Sequence, residues 1–262
     1  MAVPQRLLFG EVADLYDHHR PSYPGALVDD LLAEAAVPDG RRAIEVGAGT
    51  GKATELFAAR GAAVLAVEPS PAMAALARRR CAAYPGVEIV ESDFEALDLN
   101  GETFPLLYAA QAWHWIDPDV RYRRARTALG AGGLLGVFWN RPAWGRNDLR
   151  AALSAAYRRH APDMETDSPM HPDNPSPQGD EDWAAEIAPV REFADPKVRI
   201  YRWSQDYSGG DYAALMNTLS DFQRLQADRR ARLLAAIEST IAEHGGTLTM
   251  PMITRLHTAR AV

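Results

Sequence analysis

One segment limits what this chain can fold into more than any other: Ile44-Glu45-Val46-Gly47-Ala48-Gly49-Thr50-Gly51-Lys52. A short apolar run enters three alternating glycines, and a helix-forming stretch over 53–60 leaves them, stopped by Gly61. Such a strand–turn–helix is tight. Its backbone comes close to whatever it faces, because glycine has no Cβ to hold a ligand away. The helix start aims further backbone amides at the same place. A turn by itself needs fewer than three glycines, so the spacing points to a bound nucleotide-like molecule.

The flanking sequence supplies a sheet for that turn. Short apolar runs over 43–46, 62–67, 87–90, 106–110 and 134–139 read as strands. Between them fall helix-sized segments: 24–36 with Leu27, Leu31, Leu32 and Ala35 on one face, 53–60, about 70–83, and 117–130. Ser70-Pro71 is a helix start, with serine as N-cap and proline at the first position. Pro38-Asp39-Gly40 and Pro85-Gly86 mark turns. The alternation predicts an α/β fold, Rossmann-like and doubly wound, with a mostly parallel sheet; the nearly continuous apolar strands suit a sheet covered on both faces.

After Asn140 the composition shifts. Residues 161–180 hold five prolines and five acids with almost no aliphatic side chain, which predicts a loop or mobile lid. The pattern resumes with a strand over 198–203, helices over 211–225 and 228–244, and a Gly245-Gly246 cap. A last strand over 247–256 is expected at an edge or a bulge, since Pro251 lacks the N–H of a central ladder.

Several function classes drop out. Lys and Arg number 28 against 35 Asp and Glu, a net charge of −7, which argues against a nucleic acid or an anionic membrane as the main partner. No basic stripe with interleaved aromatics points to RNA or DNA. The single cysteine, Cys81, rules out an internal disulfide framework and reads as a small packed residue. His18, His19 and His171 lack metal-ligand spacing, so no metal is expected. The first twenty residues carry acids and no apolar core, unlike a signal or transit peptide, and no run reaches the ~18 apolar residues of a membrane span. A cytoplasmic protein is expected.

Two familiar nucleotide signatures fail at the glycine turn. A Walker A loop needs a glycine where Val46 stands and Ser or Thr where Ala53 stands. A dinucleotide fingerprint needs its third glycine where Lys52 stands. What remains, an acid followed by alternating glycines with Glu45 leading, resembles motif I of the class I S-adenosylmethionine (SAM)-dependent methyltransferases. Further stations follow in order: Glu68 in AVEPS, Asp93-Phe94 in ESDFEAL, Gln111-Ala112-Trp113-His114-Trp115-Ile116-Asp117, and Gly132-Gly133-Leu134. The tryptophan–histidine segment and the opening Tyr16 with Arg20-Pro21-Ser22-Tyr23-Pro24 resemble the type 11 small-molecule subgroup.

The resemblance implies a seven-stranded sheet, SAM as cofactor with S-adenosyl-L-homocysteine as product, and a small-molecule methyl acceptor. It implies a cofactor site of Tyr16, Arg20, Tyr23, Gly47, Ala48, Gly49, Gly51, Glu68, Pro69, Met73, Asp93, Phe94, Gln111 and Ala112. Glu68 matches the acid that binds both ribose hydroxyls, a pairing that suits a carboxylate facing a vicinal diol. Trp113, His114, Trp115 and Trp139 are candidates for the acceptor side, with His114 orienting the acceptor or removing its proton. Each has a plainer alternative. Glu68 could be a solvated strand end, Asp93 a helix cap, His114 a packed histidine, the tryptophans core, and Arg20 a surface residue. Asp117 reads as the N-cap of the next helix, and Arg78-Arg79-Arg80 as a solvated helix end.

The expected organisation is one methyltransferase domain over 1–262. It has an N-terminal helical cover over 1–40, a SAM-binding core over 41–140, an inserted helical and Pro-rich lid over 141–190, and strands and helices completing the sheet over 191–262. An NAD(P)-dependent oxidoreductase and a non-catalytic SAM-binding protein are the alternatives.

Overall fold

The computed structural model describes residues 19–37, 41–168, 170–174 and 183–262. Helix α1 (Gly25–Ala35) leads into β1 (Arg42–Val46), α2 (Lys52–Ala58), β2 (Ala63–Val67), α3 (Pro71–Arg80), β3 (Val87–Val90) and β4 (Leu106–Ala110). A 3-10 turn (Trp113–Trp115), α4 (Arg121–Leu129) and β5 (Leu134–Pro142) follow. The remainder is α5 (Asp148–His160), α6 (Trp183–Ile187), β6 (Phe193–Ser208), α7 (Gly209–Asn217), α8 (Ser220–Arg224), α9 (Ala227–Glu243) and β7 (Thr247–Ala261). The seven strands form one sheet in the order β3-β2-β1-β4-β5-β7-β6. All neighbours are parallel except β7, which runs antiparallel to both β5 and β6. The expected doubly wound α/β sheet is therefore present. Its order reverses between β1 and β4, the switch point at which such sheets open a crevice.

Strand periodicity sorts the apolar residues onto two faces. Ile44, Leu65, Leu107 and Val137 pack on one side with α4, while Ala43, Val64, Leu106 and Phe138 pack on the other with α1 and α2. Phe57 of α2 stacks on Tyr108 of β4 with ring centroids 3.9 Å apart, which pins that helix to the sheet beside the glycine turn. Helix α3 starts as expected, with Pro71 in its first turn and Ser70 Oγ accepting the Met73 amide at 3.5 Å.

The residues beyond this core build a cap with its own apolar centre. Leu153 and Tyr157 of α5, Tyr212 and Leu215 of α7, Phe222 of α8, and Leu233, Ile237 and Ile241 of α9 pack on Leu248, Met250 and Met252 of β7. Strand β7 reaches the cap because it outruns β5. Its ladder with β5 ends at Pro142 opposite Met252, whereas its ladder with β6 continues to Thr247. The cap thus stands over the carboxyl ends of the parallel strands.

The structure departs from the sequence expectations at definite places. Strand β7 is an interior strand, not an edge. Pro251 is tolerated because it lies just past the last β5 pairing, where its carbonyl accepts the Ala143 amide at 2.7 Å and no ladder bond from its own nitrogen is needed. The helix expected over 211–225 is broken into α7 and α8 around Thr218-Leu219. Asp117 does not cap a helix: its Oδ1 accepts the Asp119 amide at 2.9 Å, and α4 starts only at Arg121. Within the expected lid, His171 and Asn174 are buried and the Asn174 side-chain amide donates to the Asp167 and Ser168 carbonyls at 2.9 and 2.8 Å, while residues 162–168 are mostly exposed. The turn expected at 38–40 lies outside the described residues.

Candidate functional site

A cavity of about 570 Å³ lies at the switch point, between the glycine turn and the cap. Its floor is the turn itself. A Cβ built on Gly47 would stand 2.4 Å from the Ala112 Cβ, so only glycine lets β1 pass so close to the segment after β4. A Cβ built on Gly49 would meet no atom within 4 Å, and the residue lines the cavity. Four of the turn's amides are satisfied from within the protein. Gly47 and Ala48 donate to the Val67 carbonyl at 2.9 and 3.1 Å, Gly51 to the Ala48 carbonyl at 3.0 Å, and Gly49 to Glu68 Oε2 at 2.8 Å.

Glu68 ends β2 with both oxygens fixed: Oε1 accepts the Ser70 amide at 2.9 Å. Each oxygen keeps a further lone pair for a ligand hydroxyl. Burial pushes its carboxyl above the ordinary range, against the two amide bonds, and the charge of Asp93 adds to the rise. Glu45 lies deeper and is fully buried. Its Oε2 accepts Thr54 Oγ1 at 2.5 Å and the Tyr108 hydroxyl at 3.0 Å, while its buried Oε1 has no hydrogen-bond partner. Burial raises it to about 8, opposed by the two hydroxyl bonds and assisted by the charge of Glu68. A buried carboxylate oxygen of this kind on a cavity wall fits a cationic or N–H-bearing ligand.

The N-terminal segment closes one side. Arg20 and Tyr23 both line the cavity. Lys52 Nζ donates to the Arg20 carbonyl at 2.9 Å, Arg20 Nε donates to Thr218 Oγ1 at 3.2 Å, and Asn140 Nδ2 donates to the Ser22 carbonyl at 2.8 Å. Tyr23 meets Phe138 edge-on at 5.0 Å. Lys52, the residue that spoils the dinucleotide fingerprint, thus holds this segment over the turn. Thr218 reaches it because α7 ends there.

Of the sequence-derived cofactor residues, the cavity wall includes Arg20, Tyr23, Gly47, Ala48, Gly49, Glu68, Pro69, Met73, Asp93, Phe94, Gln111 and Ala112. Gly51 sits behind the wall as the N-cap of α2, where a Cβ would crowd Ala77 of α3 at 3.1 Å. Tyr16 lies outside the described residues. Gln111 takes φ +59, a left-handed backbone that is unusual for a residue with a side chain and marks a strained turn at the cavity. On the acceptor side His114 and Trp115 line the cavity. Trp113 and Trp139 do not. Trp113 is buried against Tyr122 at 5.7 Å, and Trp139 is stacked on Trp183 at 4.7 Å and 5°.

Sequence reasoning missed several wall residues: Asn140 and Arg141 at the end of β5, and Leu215, Leu219, Asp221 and Met252 from the cap. The first two could have been found from the rule that open sheets bind ligands beyond their strand ends. The cap residues follow a composition shift and carry no local signature. Among the described residues no group of three or more His, Cys, Asp or Glu is placed to hold a metal ion, and no helix is long and apolar enough to cross a membrane.

Residues 43–133 match the methyltransferase domain family. An uncharacterized methyltransferase of Mycobacterium tuberculosis is 39% identical over 134 residues, which are 51% of this chain and 52% of that one. The match thus spans about half the length of that curated relative. A protein of Anaeromyxobacter dehalogenans described as a type II methyltransferase superposes with a TM-score of 0.63 at 20% identity, over 92% of this chain and 97% of its own. A SAM-dependent methyltransferase of Thiobacillus denitrificans in complex with S-adenosyl-L-homocysteine superposes with a TM-score of 0.53 at 14% identity, over 100% of both chains. At those identities the two structures speak for the fold alone. The glycine turn with its acids and the sheet order agree with the methyltransferase domain matched over residues 43–133.

Proposed function

We propose that this chain transfers the methyl group of SAM to a small-molecule acceptor. The observation that carries the reading is the electrostatics of the turn. The amides of Gly47, Ala48, Gly49 and Gly51 are used within the protein, and Glu45, Glu68, Asp93 and Glu95 line the cavity around the turn. A dinucleotide needs free amides and a positive end for its diphosphate. A sulfonium and an ammonium need carboxylates. The NAD(P)-dependent alternative is therefore disfavoured by charge as well as by Lys52.

When bound, the cofactor supplies a methyl group on a positive sulfur, open to in-line displacement by a nucleophile. The chain's own part is to bind, orient and exclude water. Glu68 offers a preorganised carboxylate to a vicinal diol. Glu45 offers a buried oxygen to a cationic group. Arg20 is placed to meet a carboxylate with its guanidinium. Asp93 and Phe94 lie where an exocyclic amine and a flat ring would be met. Leu215, Leu219 and Met252 give the cap side apolar contacts among the polar side chains of Glu165, Asp167, Asp221 and Arg224, a mixed lining that admits a small organic acceptor.

Incubation with methyl-labelled SAM and a panel of small-molecule acceptors, read by mass shift, tests the proposal. A product heavier by one methyl is expected. Tight SAM binding with no transfer to any acceptor class, small molecules, peptides and RNA included, would favour a non-catalytic SAM-binding protein.

A further inference from the structure

Trp139 and His114 face each other across the wall of the cavity, and their contact restricts what His114 can do. The Trp139 indole is buried, and its stacking on Trp183 at 4.7 Å and 5° fixes its plane. Its Nε1–H donates to His114 Nδ1 at 3.2 Å. An indole nitrogen can only donate, so Nδ1 must supply a lone pair and a neutral His114 carries its proton on Nε2. Protonating Nδ1, or moving the neutral proton there, would leave a buried indole N–H facing a second donor.

We propose that Trp139 is a positioning residue that holds His114 as a hydrogen-bond donor, so that His114 gives its Nε2–H to an acceptor oxygen that arrives deprotonated, that of a carboxylate. In this tautomer the one basic lone pair of the ring, on Nδ1, is engaged by the Trp139 N–H, which sets aside the role of general base. The same cavity is lined by a second donor, Arg141, whose Nη1 is oriented by Gln111 Oε1 at 3.3 Å and the Asn140 carbonyl at 3.1 Å. A carboxylate is ionised at neutral pH and attacks a methyl sulfonium without base assistance. One C–O bond forms as the C–S bond breaks, and the leaving sulfur keeps the electron pair. The product is a methyl ester and no proton changes hands. The cavity acids Glu165, Asp167 and Asp221 come from the cap, and Glu95, whose Oε1 accepts the Asp117 amide at 3.2 Å, comes from the segment after β3.

The inference rests on the methyltransferase reading for its chemistry, and its first test does not. Long-range proton–nitrogen correlation spectra of protein labelled with 15N-histidine report each tautomer, with His114 identified by its loss in His114→Gln. The wild-type protein, free of ligand, is expected to show His114 in the Nε2–H form alone. Trp139→Phe keeps the ring and removes the donor, and is expected to give a mixture. An Nδ1–H tautomer in the wild type, or an unchanged one in Trp139→Phe, overturns the proposal. The second test pairs carboxylic acids with amines of the same carbon skeleton as acceptors. Methyl esters are expected, and methylation of the amines alone overturns the carboxylate assignment. With a carboxylic acid that the enzyme esterifies as acceptor, His114→Ala is expected to raise KM roughly tenfold through the lost charge-assisted hydrogen bond, and His114→Gln, which keeps an N–H, to recover most of that loss. A Gln variant as impaired in kcat as the Ala variant would mean that His114 is a base. Absence of SAM binding would instead defeat the methyltransferase reading and leave the tautomer result standing.

Discussion

The Glu68 carboxylate accepts the Gly49 amide at 2.8 Å, which ties the end of β2 to the middle of the glycine turn. The bond spends the amide that would otherwise face a phosphate and orients the carboxylate toward the cavity. Glu68→Ala is therefore expected to weaken SAM binding by about 1–3 kcal/mol, through lost hydrogen bonds to a charged group. Calorimetric titration of a variant with an unchanged circular dichroism spectrum measures this. Unaltered affinity would mean the ribose lies elsewhere.

The turn glycines separate folding from binding. In Gly47→Ala the new methyl would meet the Ala112 Cβ at 2.4 Å, and the backbone has φ +71. Crowding and strain together are expected to cost roughly 1–3 kcal/mol of stability, seen as a lowered melting temperature. In Gly49→Ala no atom lies within 4 Å, so only the left-handed backbone is penalised, by about 1–2 kcal/mol. Its methyl protrudes into the cavity, so lost SAM affinity is the main expected effect. If both variants lose affinity while keeping full stability, the packing assigned to Gly47 is wrong.

Much of this was legible in the sequence because it is local. A continuous apolar strand, a glycine turn and an acid at the next strand end each announce themselves within ten residues, and β1 to β5 fall where their hydrophobic runs place them. The cap was not legible. Its walls come from Leu215, Leu219 and Met252, brought together by a β7 that outruns β5, a long-range event with no local sign. His171 lies in a segment whose composition predicts a loop or mobile lid, and it is buried against Tyr157 at 4.6 Å. The tryptophans read equally as pocket or core. The structure divides them, Trp115 at the cavity and Trp113 and Trp139 behind it.

Glu45 gives folding and binding a pH dependence. Its carboxyl, raised by burial to about 8, holds a proton in the native state at pH values where the unfolded chain has lost it. The stability it contributes is full below about 4.5 and is lost as pH rises toward and through 8. Urea titrations between pH 5 and pH 9 should show this decline, and Glu45→Gln, which keeps the shape, should flatten it. A cationic ligand lowers the same carboxyl, so SAM binding near pH 7 is expected to release protons. Binding enthalpies in two buffers of different ionisation heat read that release directly, and equal enthalpies would contradict it.

His171 acts in the opposite direction. Burial depresses its imidazole below 6.5, although Asp173 and Asp221 oppose the shift, and its Nδ1 accepts the Asp173 amide at 3.0 Å. The unfolded chain binds the extra proton more readily, so stability falls as pH drops below about 6.5. The segment around 161–174 is expected to become more sensitive to limited proteolysis at pH 5.5 than at pH 7.5. His171→Gln should remove that difference, and an equal difference in the variant would place its origin in other groups.

The central claim, that an acid-lined cavity at the sheet switch point takes a sulfonium nucleoside and not a dinucleotide, is tested most directly by isothermal titration of the purified protein with SAM, S-adenosyl-L-homocysteine and NADH under one set of conditions. Saturable binding of SAM and S-adenosyl-L-homocysteine, with no heat from NADH at the same concentrations, is the expected result. Binding of NADH without binding of SAM would contradict it.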